Sequence, residues 1–303
     1  MVRRRMGFDE AARHFEVYCR AKGLAESTRW TYELALGRLR AYLSQERRPP
    51  RLPSRQDLRA LIGAMLQEGL SKGTIRVRMR SARVFCNFLV SEGVLEASPM
   101  DGVAIPKVPM THPEILSAGE VTRLLHATRK RTWYGIRNHA MIATFCDTGL
   151  RLSELIGLDA QDVDLHALSI RVRNGKGSKE RRVYMGRTLA RALRRWMDRH
   201  PFCVGADACF CTRNGRRLDK RNVARIIERA SQRAGFRDRR VYPHLLRHTF
   251  ATHFIKNGGD PFSLQRLLGH ADIKTTMIYV NLAGVDLGEA HAKASPVDRL
   301  SSP

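Results

Sequence analysis

The sequence predicts a mainly α-helical fold in two domains: a helical N-terminal domain, and a larger, mostly helical C-terminal domain carrying a small β-sheet or hairpin. Three observations predict it. Apolar residues recur at three-and-four spacing through most of the chain, the signature of helices with one buried face. Pro99, Pro106, Pro109 and Pro113 fall within fifteen residues, and proline both fixes φ and removes a backbone donor, so an extended linker belongs there. Two short β-like runs, 168–172 (LSIRV) and 181–185 (RRVYM), flank the glycine-rich NGKGSKE, which reads as a hairpin. At 303 residues the chain is about twice a common single domain. The boundaries expected are 1–105, a linker over 106–114, and 115–303.

The first domain reads as four helices, over 8–22, 27–46, 55–68 and 72–92. Phe15, Tyr18 and Cys19 in the first, and Val84, Phe85, Phe88 and Leu89 in the last, supply the apolar stripes. Gly23, Gly69 and Gly93 stand where helices should end, and Ser27, Ser54 and Ser71 where caps belong. Beyond the linker, Ser117 with Glu120 three residues on forms a capping box for a short helix. Further helices are expected over 135–147, closed by Gly149, and at about 187–200, 219–234, 243–257, 261–268 and 273–282. No internal repeat is present, which excludes a solenoid.

Charge narrows the function. Lys and Arg number 54 against 29 Asp and Glu, a formal net charge of +25. Residues 1–110 hold 20 basic and 11 acidic side chains and the remainder 34 and 18, so both domains are basic. An excess of this size points to a polyanion, because each cation set against a phosphate releases condensed counterions. The second helix carries Arg29, Arg38 and Arg40, of which Arg29 is a DNA-binding candidate, and on the fourth Lys72, Arg76, Arg78, Arg80 and Arg83 are candidates for a phosphate-tracking face. No apolar run is long enough to span a membrane. The basic start, MVRRRMGF, is not followed by the apolar stretch of a secretory leader.

The six cysteines are scattered, a reduced, cytosolic pattern. His200, Cys203, Cys209 and Cys211 fit no common zinc spacing, and Cys209 and Cys211 alternate about Phe210 as in a short strand. No metal is expected, and with no P-loop in the sequence no ATP either.

The chemistry gathers in the last third. Pro243 opens a helix that places His244 and Arg247 at i and i+3 near its N-terminus, where the helix dipole favours an anion. Asp260–Pro261 opens the next helix, Gly269 ends it, and His270 follows directly. Tyr279 lies nine residues further, and Arg151 stands far upstream between Gly149 and Ser153. Singly, each residue has an ordinary structural use: an arginine capping carbonyls, a histidine satisfied in the core, a tyrosine packing on a helix. In combination, cations, imidazoles and a phenol are the parts needed to attack a phosphodiester.

Together TGLRLSELIGL, GKGSKER, HLLRHTFATHF, LLGH and the tyrosine nine residues past that histidine resemble the tyrosine recombinase (phage integrase) family, and the two-domain layout is most similar to the Xer recombinases. The resemblance implies an N-terminal SAM-like core-binding domain and a C-terminal catalytic domain. It implies that Arg151 and Arg247 clamp the scissile phosphate, that His270 donates to the same oxygens, and that His244 positions or deprotonates the nucleophile, Tyr279. Lys176, in the hairpin, matches the general acid for the leaving 5′-oxygen; Lys179 lies three residues on in the same turn. Glu154 and His248 read as structural. The family implies a 3′-phosphotyrosyl intermediate, strand exchange through a Holliday junction, and a homotetramer on double-stranded DNA sites, with or without a second recombinase or accessory protein, in the cytoplasm and on the nucleoid. The segment 285–295 is expected to dock on a neighbouring subunit. A type IB topoisomerase-like enzyme and a catalytically silent DNA-binding protein of the same fold are the alternatives.

Overall fold

The computed structural model describes residues 6–44, 50–109, 113–128, 131–173, 180–199, 208–284, 288, 291–292 and 295–297. The chain divides into two compact units, Met1–Met110 and Thr111–Pro303.

The first unit is a helical bundle of α1 (Phe8–Ala21), α2 (Glu26–Leu43), α3 (Arg55–Gln67) and α4 (Lys72–Ser91). Its core is aromatic at the centre: the Phe15 ring lies 5.3–6.2 Å from those of Tyr18, Tyr32, Phe85 and Phe88, geometry that adds to the area each ring buries. Ser54 and Ser71 cap α3 and α4 by accepting from Asp57 and Thr74 N–H. Ser27 does not cap. It lies inside α2, which begins one residue earlier behind Ala25 with no side-chain cap. Gly23, Gly69 and Gly93, at φ 64°, 76° and 69°, close α1, α3 and α4, and the residue after each returns its N–H to a carbonyl five residues back.

The second unit opens with α5 (Ala118–His126), whose predicted capping box is formed. α6 (Trp133–Thr148) follows and is buried nearly all round. α7 (Leu152–Gly157), a 3₁₀ turn (Ala160–Asp162) and three short strands come next: β1 (Val163–Asp164), β2 (Ser169–Val172) and β3 (Arg181–Tyr184). The strands make one antiparallel sheet in the order β1-β2-β3, with Val163 opposite Ile170 and Ile170 opposite Val183. The predicted hairpin is β2–β3; β1, two residues long, escapes any periodicity argument. The remaining helices are α8 (Arg187–Met197), α9 (Lys220–Arg233), α10 (Pro243–Lys256), α11 (Pro261–Leu268) and α12 (Lys274–Ala283).

The expected strand at 209–211 is reduced to two isolated bridges, Asp159 with Ala208 and Cys211 with Arg217. Cys209, Phe210 and Cys211 are all buried, so the alternation read from the sequence is absent. Burial raises the Cys209 thiol. Among the described residues no group of three or more His, Cys, Asp or Glu is placed to hold a metal, and no helix is long and apolar enough to cross a membrane. His200 and Cys203 lie outside the described residues.

A main core runs through α5–α9, the sheet and the start of α10. A second, smaller cluster joins α10, α11 and α12 through Ala251, Ile255, Leu264, Leu268 and Tyr279. The segment before α5 is pinned to α10, with Leu116 N–H donating to Thr249 Oγ1 at 2.9 Å and Leu116 O lying 2.8 Å from His253 Nε2. That small cluster holds the residues around which the site is built.

Candidate active site

The site starts from a backbone feature. Gly149 closes α6 in the left-handed region, at φ 61°. A Cβ there would stand 2.4 Å from Phe250 Cδ1 and 2.9 Å from Leu268 Cδ2, so no other residue lets α6 approach α10 and α11 this closely. Two residues on, Arg151 is the N-cap of α7.

Arg247 projects from α10 and is 3% exposed. It donates from Nη1 to Gly149 O and from Nη2 to Leu268 O, both at 2.7 Å, two carbonyls at helix C-termini. Its Nη2 also lies 3.0 Å from His270 Nε2. Burial, and the Arg151 charge next, pull the guanidinium down to about 10, so it remains a cation at neutral pH. Arg151 donates from its backbone N–H to Glu154 Oε2 and from Nη1 to Glu154 Oε1, each at 2.8 Å, and from Nη2 to Gly269 O at 3.1 Å. The two arginines thus share the α11 C-terminus, held apart by backbone acceptors.

His270 follows Gly269, which takes φ 64°. Since a guanidinium can only donate, Nε2 facing Arg247 carries the lone pair, and Nδ1–H points to Thr276 Oγ1 at 2.9 Å. Burial first, then the charges of Arg247, Arg151 and Arg181, push this imidazole down to about 4. In this state His270 therefore accepts at Nε2. A phosphate entering beside the arginines would offset their charge and favour the protonated ring.

Tyr279 is 4% exposed, and its ring lies nearly parallel to that of His270 at 6.3 Å. Burial raises its phenol, opposed by the positive charges of Arg247 and Arg151. The partner of its hydroxyl is His248 Nδ1, at 2.9 Å. His244 stands one turn earlier, its ring 6.4 Å from that of His248. Both imidazoles are held below their usual value, His244 by burial and then by Arg247 and Arg151, His248 by burial and then by His244 and Arg247.

Sequence reasoning gave His248 a structural part, yet it is the residue that touches the phenol. The signal available was its spacing of four from His244, which sets both on one face of α10. Arg181 was also missed: it pairs with Glu154 through both η nitrogens at 2.8 Å. Arg151, His244, Arg247, His270 and Tyr279 are brought together around α10–α12. Lys176 and Lys179 lie outside the described residues.

In the first unit the cationic rows divide. On α4, at about 100° per residue, Lys72, Arg76, Arg80 and Arg83 fall on one stripe, and Arg78 falls within the arc of the buried face, between Phe85 and Leu89. Lys72, Arg80 and Arg83 are exposed and Arg76 half-buried, whereas Arg78 Nη1 rests 3.9 Å from Met65 Sδ. On α2, Arg29 is half-buried, Arg38 pairs with Glu68, and Arg40 pairs with Asp9 at 2.6 Å.

A phenol buried beside an imidazole, next to two arginines fixed by helix-end carbonyls, is the set of groups that phosphoryl transfer to a tyrosine would need. The chain belongs to the phage integrase family and is a site-specific tyrosine recombinase of Xer type: residues 114–284 match the Phage integrase family model and residues 12–93 the Phage integrase, N-terminal SAM-like domain. It is 37% identical over 231 residues to tyrosine recombinase XerC of Salmonella typhi, covering 76% of each chain. It is 36% identical over 240 residues to tyrosine recombinase XerC of Yersinia pestis, covering 79% of this chain and 78% of that one. Among solved structures it resembles XerA recombinase, at 27% identity and a TM-score of 0.53 over 95% of this chain and 99% of that one. The Tn1549 transposon integrase shares the fold, with a TM-score of 0.75 at 20% identity over 98% of this chain and all of that one.

Proposed function

We propose that this recombinase cleaves and rejoins DNA at specific sites through a 3′-phosphotyrosyl bond to Tyr279. The observation that carries the reading is the Tyr279 hydroxyl, bonded to His248 and lying within the field of Arg247 and Arg151. In the reaction the Tyr279 oxygen bonds to phosphorus, the bond to the 5′-oxygen breaks, and the phenolic proton passes to an imidazole. His248 is in contact and His244 is the position matched to the family. Arg151 and Arg247 offer forked donors to the non-bridging oxygens and stabilise the extra charge of the five-coordinate phosphorane. His270, once protonated, adds a third donor. Lys176 is assigned the proton for the leaving 5′-oxygen. Attack by a 5′-hydroxyl reverses the step, and because the phosphotyrosyl link keeps the energy of the broken bond, no nucleotide cofactor is consumed.

The structural neighbours include the Tn1549 integrase in complex with transposon right-end DNA and XerH bound to a palindromic difH substrate, which supports duplex recombination sites as the partner here. On α4 the stripe of Lys72, Arg76, Arg80 and Arg83 is the phosphate-tracking face; Arg29 is assigned a flanking role, and Arg78 is set apart from that stripe. We assign the active assembly as a homotetramer on two sites, exchanging strands through a Holliday junction in the cytoplasm, with 285–295 docking on a neighbouring subunit. The domain plan is core-binding over 1–105, linker over 106–114 and catalytic over 115–303.

The test uses the duplex selected by the protein from randomised DNA, nicked so that cleavage is trapped. Wild type should form an SDS-resistant protein–DNA adduct and Tyr279→Phe none. An adduct of equal yield with the mutant, or none with wild type, refutes the mechanism.

A further inference from the structure

We propose that Arg181 is a positioning residue for DNA cleavage, setting Arg151 through Glu154 and fixing the turn that presents His270. The inference rests on the phosphotyrosyl reading above. Arg181 is the last residue of GKGSKER, the one motif position beyond the hairpin turn to which that reading gives no task.

Arg181 opens β3 with its side chain 12% exposed, and all three guanidinium nitrogens are engaged. Nη1 and Nη2 meet Glu154 Oε1 and Oε2 at 2.8 Å each, and Nε donates to Leu267 O at 2.8 Å. It also lies against Gly269, where a Cβ would come within 3.3 Å of its Cδ, Cζ and Nε. One side chain therefore ties three segments of the site: β3, the start of α7, and the last turn of α11. Two residues beyond Leu267 is Gly269, whose carbonyl takes Arg151 Nη2, and the next residue is His270.

Glu154 explains why the tie matters. Its side chain is 1% exposed, and it accepts four hydrogen bonds, two from Arg181 and two from Arg151. A buried carboxylate left with Arg151 alone would take that guanidinium as a fork, both Nη groups turned inward and its charge cancelled. With Arg181 occupying the fork, Glu154 holds Arg151 by its backbone N–H and one Nη only. The trio keeps a net charge of +1, so Arg151 presents a cation to the phosphate instead of a neutral pair. Burial works to raise the Glu154 carboxyl, and the hydrogen bonds from Arg181 are the largest of the contacts that overcome it and hold the group down to about 2. Losing them would let the carboxyl protonate at a higher pH and release Arg151 from one acceptor.

The experiment compares full-length wild type, Arg181→Gln, Arg181→Lys and the Arg181→Gln/Glu154→Gln double variant on the selected, nicked duplex. At saturating protein, Arg181→Gln should slow adduct formation by about 30- to 100-fold while duplex affinity stays within threefold. The acid limb of its pH–rate profile should move up by at least one pH unit, and return toward wild type in the double variant, which has no carboxyl to titrate. Arg181→Lys, which keeps the charge and loses the fork, should recover part of the rate. A rate within threefold of wild type, or a loss of rate matched by a loss of affinity with an unmoved pH profile, overturns the proposal. If Arg181→Gln does not fold, Arg181→Lys carries the same comparison, and a wild-type rate with an unmoved profile overturns it. Absence of any wild-type adduct refutes the phosphotyrosyl reading; adduct formation by wild type and Arg181→Gln alike refutes only the role given to Arg181.

Discussion

Gly149→Ala tests whether the site is held by one close approach. The left-handed φ of 61° costs a non-glycine residue about 1–2 kcal/mol. The added Cβ, 2.4 Å from Phe250 and 2.9 Å from Leu268, overpacks a well-filled junction, typically another 1–3 kcal/mol. The expected loss is thus about 2–5 kcal/mol, a large share of the roughly 5–15 kcal/mol that holds most domains together. For a unit of this size each kcal/mol moves Tm by about 2–4 °C, so scanning calorimetry should show a fall of about 4–20 °C. Activity should fall further than stability explains, because Gly149 O is the acceptor that fixes Arg247 Nη1 at 2.7 Å. Gly157→Ala is the control: nothing lies within 4 Å of its Cβ position and its φ is ordinary, so Tm should be unchanged or slightly raised. A Gly149→Ala protein that melts within about 2 °C of wild type and cleaves at the wild-type rate would refute the close-approach argument.

Three further outcomes follow from the same geometry. Glu154 is depressed from 4.5 to about 2, so its contribution, about 3 kcal/mol at full strength, is present above pH 4.5 and lost as pH falls toward 2; urea unfolding between these values should show this slope, and Glu154→Gln should flatten it. His248→Ala removes the partner of the Tyr279 hydroxyl and should slow adduct formation by about 100-fold, with partial recovery in His248→Asn, whose amide sits near the lost Nδ1; equal rates for His248→Ala and wild type would return the base role to His244 alone. Neutralising Arg80 and Arg83 together should weaken duplex binding by a similar factor for all sequences and make the slope of log K against log salt shallower by about 0.9 per lost phosphate contact, measured by fluorescence anisotropy; an unchanged slope would remove α4 from the DNA face.

The helices, their glycine ends and most of their caps were legible because each rests on local chemistry. Ser54, Ser71 and Ser117 show their function in the residue three positions on. Ser27 misled because a serine near a helix start is only permitted to cap, and α2 begins one residue earlier, at Glu26, with no side-chain cap. The convergence of Arg151, His244, Arg247, His270 and Tyr279 was readable only as a recurring pattern, since nothing local brings a residue on α7 to the end of α11. What stayed hidden was decided by tertiary contact. The rotation of α10 against α12 puts His248, and not His244, on the phenol, and a helix face read from spacing cannot distinguish two residues four apart. Arg181 looked like one more strand cation in a chain holding 54 basic residues; its burial and its fork on Glu154 exist only once β3 lies against α11.

The fold itself sets the arginines. Arg247 spends its donors on carbonyls at two helix ends, and Arg151 on a third backbone oxygen and a carboxylate that a second arginine holds ionised. A phosphate bound there, as proposed, would meet cations whose orientation is fixed by backbone acceptors, so little reorganisation would remain for the moment of attack. Tyr279 differs in kind, because its ring belongs to the α10–α12 core and its hydroxyl faces an imidazole with a depressed proton affinity. Burial alone raises the phenol and works against nucleophilicity. The two arginines proposed to hold the phosphate oppose that effect, which couples the charge state of the phenol to their geometry. Under the proposed mechanism, a variant that turns Arg151 inward should therefore lose twice, in phosphate binding and in phenol activation.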